Sequence, residues 1–73
     1  MSRVLLHNGS VEADVADLTD DEVAAALANP SMFDDELREK CHGLFAGTGD
    51  ERGFLYAYAQ MHERRYGVPF TVP

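Results

Sequence analysis

The only cysteine of the chain, Cys41, is followed directly by His42, which sets a thiol nucleophile beside a base. Neighbours on a helix point about 100° apart, so the two side chains do not face each other. Cys41 also falls in step with Leu37 and Leu44, where a free cysteine behaves as a small hydrophobe. We read it as a core residue. The sharpest enzymatic alternative pairs His42 or His62 with a nearby carboxylate as an acid–base couple. A chain of 73 residues leaves little room for a substrate pocket, so the expectation is a protein that is not an enzyme and uses no cofactor.

The soft metal ligands are His7, Cys41, His42 and His62. None of them stands at the short paired spacing of a structural zinc site, and no metal is expected. The stretch 47–53, Gly-Thr-Gly-Asp-Glu-Arg-Gly, has the glycine content of a phosphate loop but lacks the Gly-Lys-Ser/Thr ending. Its two acids would repel phosphate, and a turn between helices is the better reading.

The acidic groups are Asp17, Asp20-Asp21-Glu22 and Asp34-Asp35-Glu36, with Glu39 beyond them. They lack the alternating carboxylates and distant glutamate of a calcium loop. Acids belong at helix N-termini, where the macrodipole favours negative charge, and that accounts for about five of them. It leaves Glu12, Asp14, Asp17 and Glu39 without a local reason. A solvated surface is the plain explanation; a patch that complements a positively charged partner is the functional one.

Arg64-Arg65-Tyr66, with Arg52, Tyr56 and Tyr58, has the ingredients of a platform that pairs phosphate contacts with base stacking. The net charge of −7 speaks against direct nucleic-acid binding, which goes with a basic excess. Helix capping and packing explain these residues better. Tyr56 differs from the others because it lies off the apolar stripe of its helix, where an exposed tyrosine suits a binding anchor.

Composition supports a folded chain, 45% hydrophobic and 26% charged. Residues 1–51 carry twelve acidic and three basic side chains, a balance of −9, whereas residues 52–73 carry one and three, a balance of +2. Five of the seven aromatics also lie in that last stretch. A lone thiol suits a reducing compartment rather than a secreted disulfide scaffold. The apolar run near the N-terminus is too short for a signal peptide, and no stretch approaches the roughly 20 apolar residues of a membrane span. The expected location is the cytoplasm, away from membranes.

These residues need elements to hold them. Asn8-Gly9 between two strand-like runs signals a two-residue hairpin turn over residues 3–15. That turn sets Arg3 opposite Asp14, Val4 opposite Ala13, Leu5 opposite Glu12, Leu6 opposite Val11 and His7 opposite Ser10. Val4, Leu6, Val11 and Ala13 then share one apolar face. Thr19-Asp20-Asp21-Glu22 is a capping box opening a helix over about 20–28, which Asn29-Pro30 stops. Ser31 opens a second helix over about 32–46, with Phe33, Leu37, Cys41, Leu44 and Phe45 at helical spacing.

A third helix runs over about 50–66, starting near Thr48 or Asp50, with a second capping box available at Thr48 and Glu51. Its stripe is Phe54, Leu55, Tyr58, Met61, His62 and Tyr66, and Gly67 ends it in the left-handed position. Val68, Phe70 and Val72 alternate with Pro69 and Thr71, which gives a short strand confined by its prolines to an edge. The expected fold is a single α+β domain, a hairpin on three short helices with a C-terminal edge strand or tail.

Two functions fit this reading. In the first, the chain is an acidic binding or inhibitor protein that occupies a basic surface of another protein, for instance one that binds nucleic acid. Carboxylates on a small rigid scaffold can mimic phosphates. The anti-CRISPR and anti-restriction inhibitors of phages and mobile elements work in this manner, and the analogy rests on size and charge. The contact residues are then Asp17, Asp20, Asp21, Glu22, Asp34, Asp35, Glu36, Glu39 and Tyr56. In the second, a small core and exposed edge lead the chain to pair with itself, as a structural or adaptor subunit in a homodimer.

Overall fold

Asn8 and Gly9 set the first element. The chain runs up β1 (Arg3–Leu6), turns, and returns along β2 (Val11–Asp14). Asn8 at φ 59°, ψ 30° and Gly9 at φ 94° are the two left-handed positions of a type I′ turn, closed by Ser10 N–H on the His7 carbonyl at 3.3 Å. The register is Arg3 opposite Asp14, Val4 opposite Ala13, Leu5 opposite Glu12 and Leu6 opposite Val11, as the turn dictates. His7 and Ser10 close the turn instead of extending the ladder. His7 is itself left-handed at φ 51°, and the neighbouring strand explains why. The Val72 carbonyl accepts from Asn8 N–H at 3.1 Å, so His7 is an extra residue that the backbone bulges around.

The computed structural model describes residues 2–28 and 33–72. After a single 3-10 turn at Val15–Asp17 come α1 (Asp20–Leu27), α2 (Asp35–Phe45), α3 (Glu51–Tyr66) and the short β3 (Phe70–Thr71). β3 pairs parallel to β1, so the sheet order is β2-β1-β3 with the helices between its strands in sequence. The result is a small α+β domain. Pro69 stands just outside β3, at the sheet edge where a residue without an N–H is tolerated.

The capping box of α1 is formed in full: Thr19 Oγ1 accepts from Glu22 N–H at 3.1 Å, and Glu22 accepts from Thr19 N–H at 2.8 Å. Asn29, Pro30 and Ser31 lie outside the described residues. The cap of α2 is Asp34 rather than Ser31, and Phe33 and Asp34 are not helical. Starting the helix later frees Phe33 to enter the core beside Tyr58 and Phe70, at ring distances of 4.5 and 5.0 Å. α3 is capped by Asp50, which accepts from Gly53 N–H at 2.9 Å. The capping box expected at Thr48 and Glu51 is not made. Thr48 Oγ1 instead donates to the Phe45 carbonyl at 2.8 Å and accepts from Asp50 N–H at 3.2 Å. Gly67 ends α3 at φ 74° as expected.

The core collects Val4 and Leu6 from β1, Phe70 and Val72 from the last strand segment, and Leu37 and Cys41 from α2, around Leu55, Tyr58 and Ala59 of α3. Four residues of the expected apolar faces stay outside, among them Val68, 54% exposed just ahead of β3. Val11 is 45% exposed, being at the far end of the edge strand β2; Leu44 is 64% exposed, while its neighbour Phe45 turns in toward Phe54; Tyr66 is 51% exposed and uses its hydroxyl instead. No helix among the described residues is long and apolar enough to cross a membrane.

Candidate partner-binding surface

Cys41 is fully buried, with its sulfur 3.9 Å from that of Met61, and burial pushes the thiol up. A nucleophilic cysteine needs the opposite shift. His42 points elsewhere, its ring 5.0 Å from that of Phe54. His62 packs among Tyr58, Tyr66 and Phe70, and one ring nitrogen meets the Val68 carbonyl at 3.1 Å. No three His, Cys, Asp or Glu side chains among the described residues converge as metal ligands would. The carboxylates are spread over the surface.

α3 decides where those carboxylates lie. Arg52, in its first turn, donates to Asp20 at 2.9 Å and to the Val15 carbonyl at 2.7 Å, which fastens the start of α1 to the start of α3. At the other end, Arg65 donates to Glu36 at 3.1 Å and lies 3.6 Å from Asp34, whose carboxylate also accepts from the Tyr66 hydroxyl. The start of α2 therefore sits at the end of α3. Thirteen residues of helix separate Arg52 from Arg65, about 20 Å at the usual rise. The starts of α1 and α2 do not form one patch. Asp17, Asp20, Asp21 and Glu22 fall at one end of the molecule, and Asp34, Asp35, Glu36 and Glu39 at the other.

The two ends differ in balance. At the α2 end Arg38 pairs with Asp35 at 3.5 Å, Lys40 with Glu36 at 3.7 Å, and Arg65 with both Glu36 and Asp34. With Arg64, four basic side chains there match the four acids Asp34, Asp35, Glu36 and Glu39. Beside these, Arg3 bridges Glu12 at 2.8 Å and Glu63, in the last turn of α3. At the α1 end, Asp14, Asp17, Asp20, Asp21, Glu22, Asp50 and Glu51 stand against Arg52 alone among the described residues. That end carries a balance of −6, nearly the whole −7 of the chain.

Several of these acids have structural work. Asp14 accepts from Ala16 N–H at 2.9 Å, Asp50 caps α3, and Glu22 completes the capping box. The Thr19 backbone N–H, then its hydroxyl, hold the Glu22 carboxyl below the usual range. Asp17, Asp21 and Glu51 make no ion pair or hydrogen bond with their side chains among the described residues, and all three are exposed. Their charges are free to act outward. Tyr56, 38% exposed, lies one helical turn from Arg52 on the same face of α3, so it adjoins this end.

Next to it is a groove of about 290 Å³ lined by Leu27, Phe33, Arg38, His42, Phe45 and Phe54, which shares Gly49, Asp50 and Glu51 with the acidic end. Sequence reasoning missed Asp50 and Glu51 as contributors. The five residues between α2 and α3 force those helices antiparallel, which was the available signal that the α2 acids face the basic end of α3. Nothing comparable in the sequence places α1. Comparison with models of known families, with curated proteins and with solved structures gives no match for this chain.

Proposed function

We propose that the protein is a non-catalytic binding or inhibitor protein that sets its α1 end against a basic surface of another protein. One observation carries this reading: the fold neutralises the acids at the α2 end and leaves those at the α1 end with a single counter-charge, Arg52 on Asp20. An evenly solvating surface would have no reason to sort its charges in this way. Partners of the matching kind are proteins whose own ligand is a polyanion, such as nucleic-acid-handling proteins, with Asp17, Asp20, Asp21 and Glu51 standing where phosphates would. The lone buried Cys41 suits action in the cytoplasm.

The self-associating alternative draws less support. The accessible surface is 4440 Å², against about 4,500 Å² for a folded monomer of 8.1 kDa. The total area is that of an ordinary folded monomer. The two readings separate by salt, since a charged complex weakens steeply with ionic strength while an apolar dimer does not. Immobilised protein should retain a nucleic-acid-handling protein from nuclease-treated lysate at low salt and release it at high salt, and should sediment as a monomer. Recovery of the protein itself at both salts, with a dimer in sedimentation, would favour the alternative.

A further inference from the structure

The geometry points to a specific mode for that contact: we infer that the free edge of β2 takes up an extended segment of the partner as a fourth strand, one that alternates basic and apolar side chains. This deepens the proposed function and rests on it. The hydrogen-bond pattern shows which groups the edge offers. Val72 N–H donates to the Leu5 carbonyl at 2.7 Å, and Val15 N–H to the Ser2 carbonyl at 2.9 Å. Leu5 thus turns its backbone groups toward β3, and Val4 and Leu6 turn theirs toward Ala13 and Val11 of β2. By the same alternation the N–H and C=O of Glu12 and the N–H of Asp14 point away from β1, off the open side of the sheet, while the Asp14 C=O, at the cap of the 3-10 turn Val15–Asp17, is taken up by that turn. No backbone partner for the Glu12 groups or the Asp14 N–H is found among the described residues.

Side chains say what the added strand must carry. On one face of β2 stand Glu12, which holds Arg3 at 2.8 Å, and Asp14, whose carboxylate also accepts from Ala16 N–H; two acids against one base leave that face negative, so residues of the new strand beside them should be lysine or arginine. On the other stand Val11, 45% exposed, and the half-buried Ala13, which call for an apolar residue between the basic ones. Tyr56 flanks the same place. It shares a face of α3 with Arg52 and Glu63, whose side chains reach Val15 and Arg3 beside the hairpin.

A second copy of β2 is a poor occupant. The antiparallel registers that use the outward groups set Glu12 against Glu12, Glu12 against Asp14, or Asp14 against Asp14. Like charges directly opposite destabilise a strand pair. The acids that block self-pairing are the ones that select a basic strand.

The test uses a synthetic peptide, Lys-Val-Lys-Val-Lys flanked by glycines, and the same peptide N-methylated at the amides that face β2. Charge is identical in the two, and only the first can extend the sheet. The unmodified peptide should bind at least tenfold more tightly and slow hydrogen exchange at the Glu12 and Asp14 amides. Glu12→Pro, which removes an outward N–H, should abolish that preference, while Glu12→Gln should keep it. Equal binding of both peptides, with shifts confined to the starts of α1 and α3, would overturn the strand and leave the acidic surface standing. Failure of both peptides to bind, even at low salt, would overturn the strand and the proposed function together.

Discussion

Asp34 does more than any other single acid to join the helices. Its carboxylate accepts from Glu36 N–H at 3.0 Å, from Leu37 N–H at 3.1 Å and from the Tyr66 hydroxyl, while its own N–H donates to the buried Tyr58 hydroxyl at 2.7 Å. The Tyr66 hydroxyl is the main cause that holds the Asp34 carboxyl below the usual range, with the Leu37 amide next. A carboxyl depressed in the fold adds stability above its unfolded value near 4, and that stability is lost as pH falls through the lower folded value. The same bond raises the Tyr66 phenol, whose share persists at neutral pH and fades only above its ordinary value near 10. Asp34→Asn keeps a competent cap and removes the charge. Its melting temperature by circular dichroism should fall below that of the wild type at pH 7 and converge with it near pH 2. A deficit of equal size at both pH values would refute the charge assignment.

Two helical glycines separate propensity from packing. Gly43 of α2 has open space where a Cβ would stand, so Gly43→Ala should stabilise by about 0.5–1 kcal/mol through helix propensity. At Gly53 of α3 a Cβ would run into the Asp50 carboxylate that caps the helix and lie 2.9 Å from the Phe45 ring. Gly53→Ala should therefore destabilise, by about 1 kcal/mol if the cap is lost. Urea unfolding of both variants checks the opposite signs; a gain for both would mean that the Asp50 cap contributes little. Elements whose signal is local were legible in the sequence: the hairpin register from Asn8-Gly9, the α1 box from Thr19 and Glu22, and the stop at Gly67. Reading failed where two local options competed. Ser31 and Asp34 both suit a cap, and core demand for Phe33 decided between them. Thr48 could cap α3 or close the preceding turn, and Asp50 left it the turn.

At the scale of the molecule, a Cα radius of gyration of 11.1 Å matches the about 11 Å of a compact 73-residue domain. Within it, charge is sorted by end and not by position in the chain. The linear split between residues 1–51 and 52–73 suggests an acidic first part and an aromatic, mildly basic end. Folding lays the basic end of α3 against the acids of α2 and leaves those of α1 exposed. The short α2–α3 connection announces the contact of Arg65 with Glu36, but no local pattern announces that of Arg52 with Asp20, 32 residues apart. The single acidic patch expected from the starts of α1 and α2 therefore becomes two surfaces of different balance, and only one of them is left to attract a cation.

Charge reversal at each end, measured against a captured basic partner by titration at low salt, tests this account most directly. Asp17→Lys, Asp21→Lys and Glu51→Lys together change three exposed, unpaired carboxylates at the α1 end. Asp35→Lys and Glu39→Lys together change exposed acids at the α2 end. The account predicts that the first set weakens binding at least a hundredfold, the second less than threefold, and that both remain folded. Equal losses from the two sets, or a loss confined to the second, would contradict it.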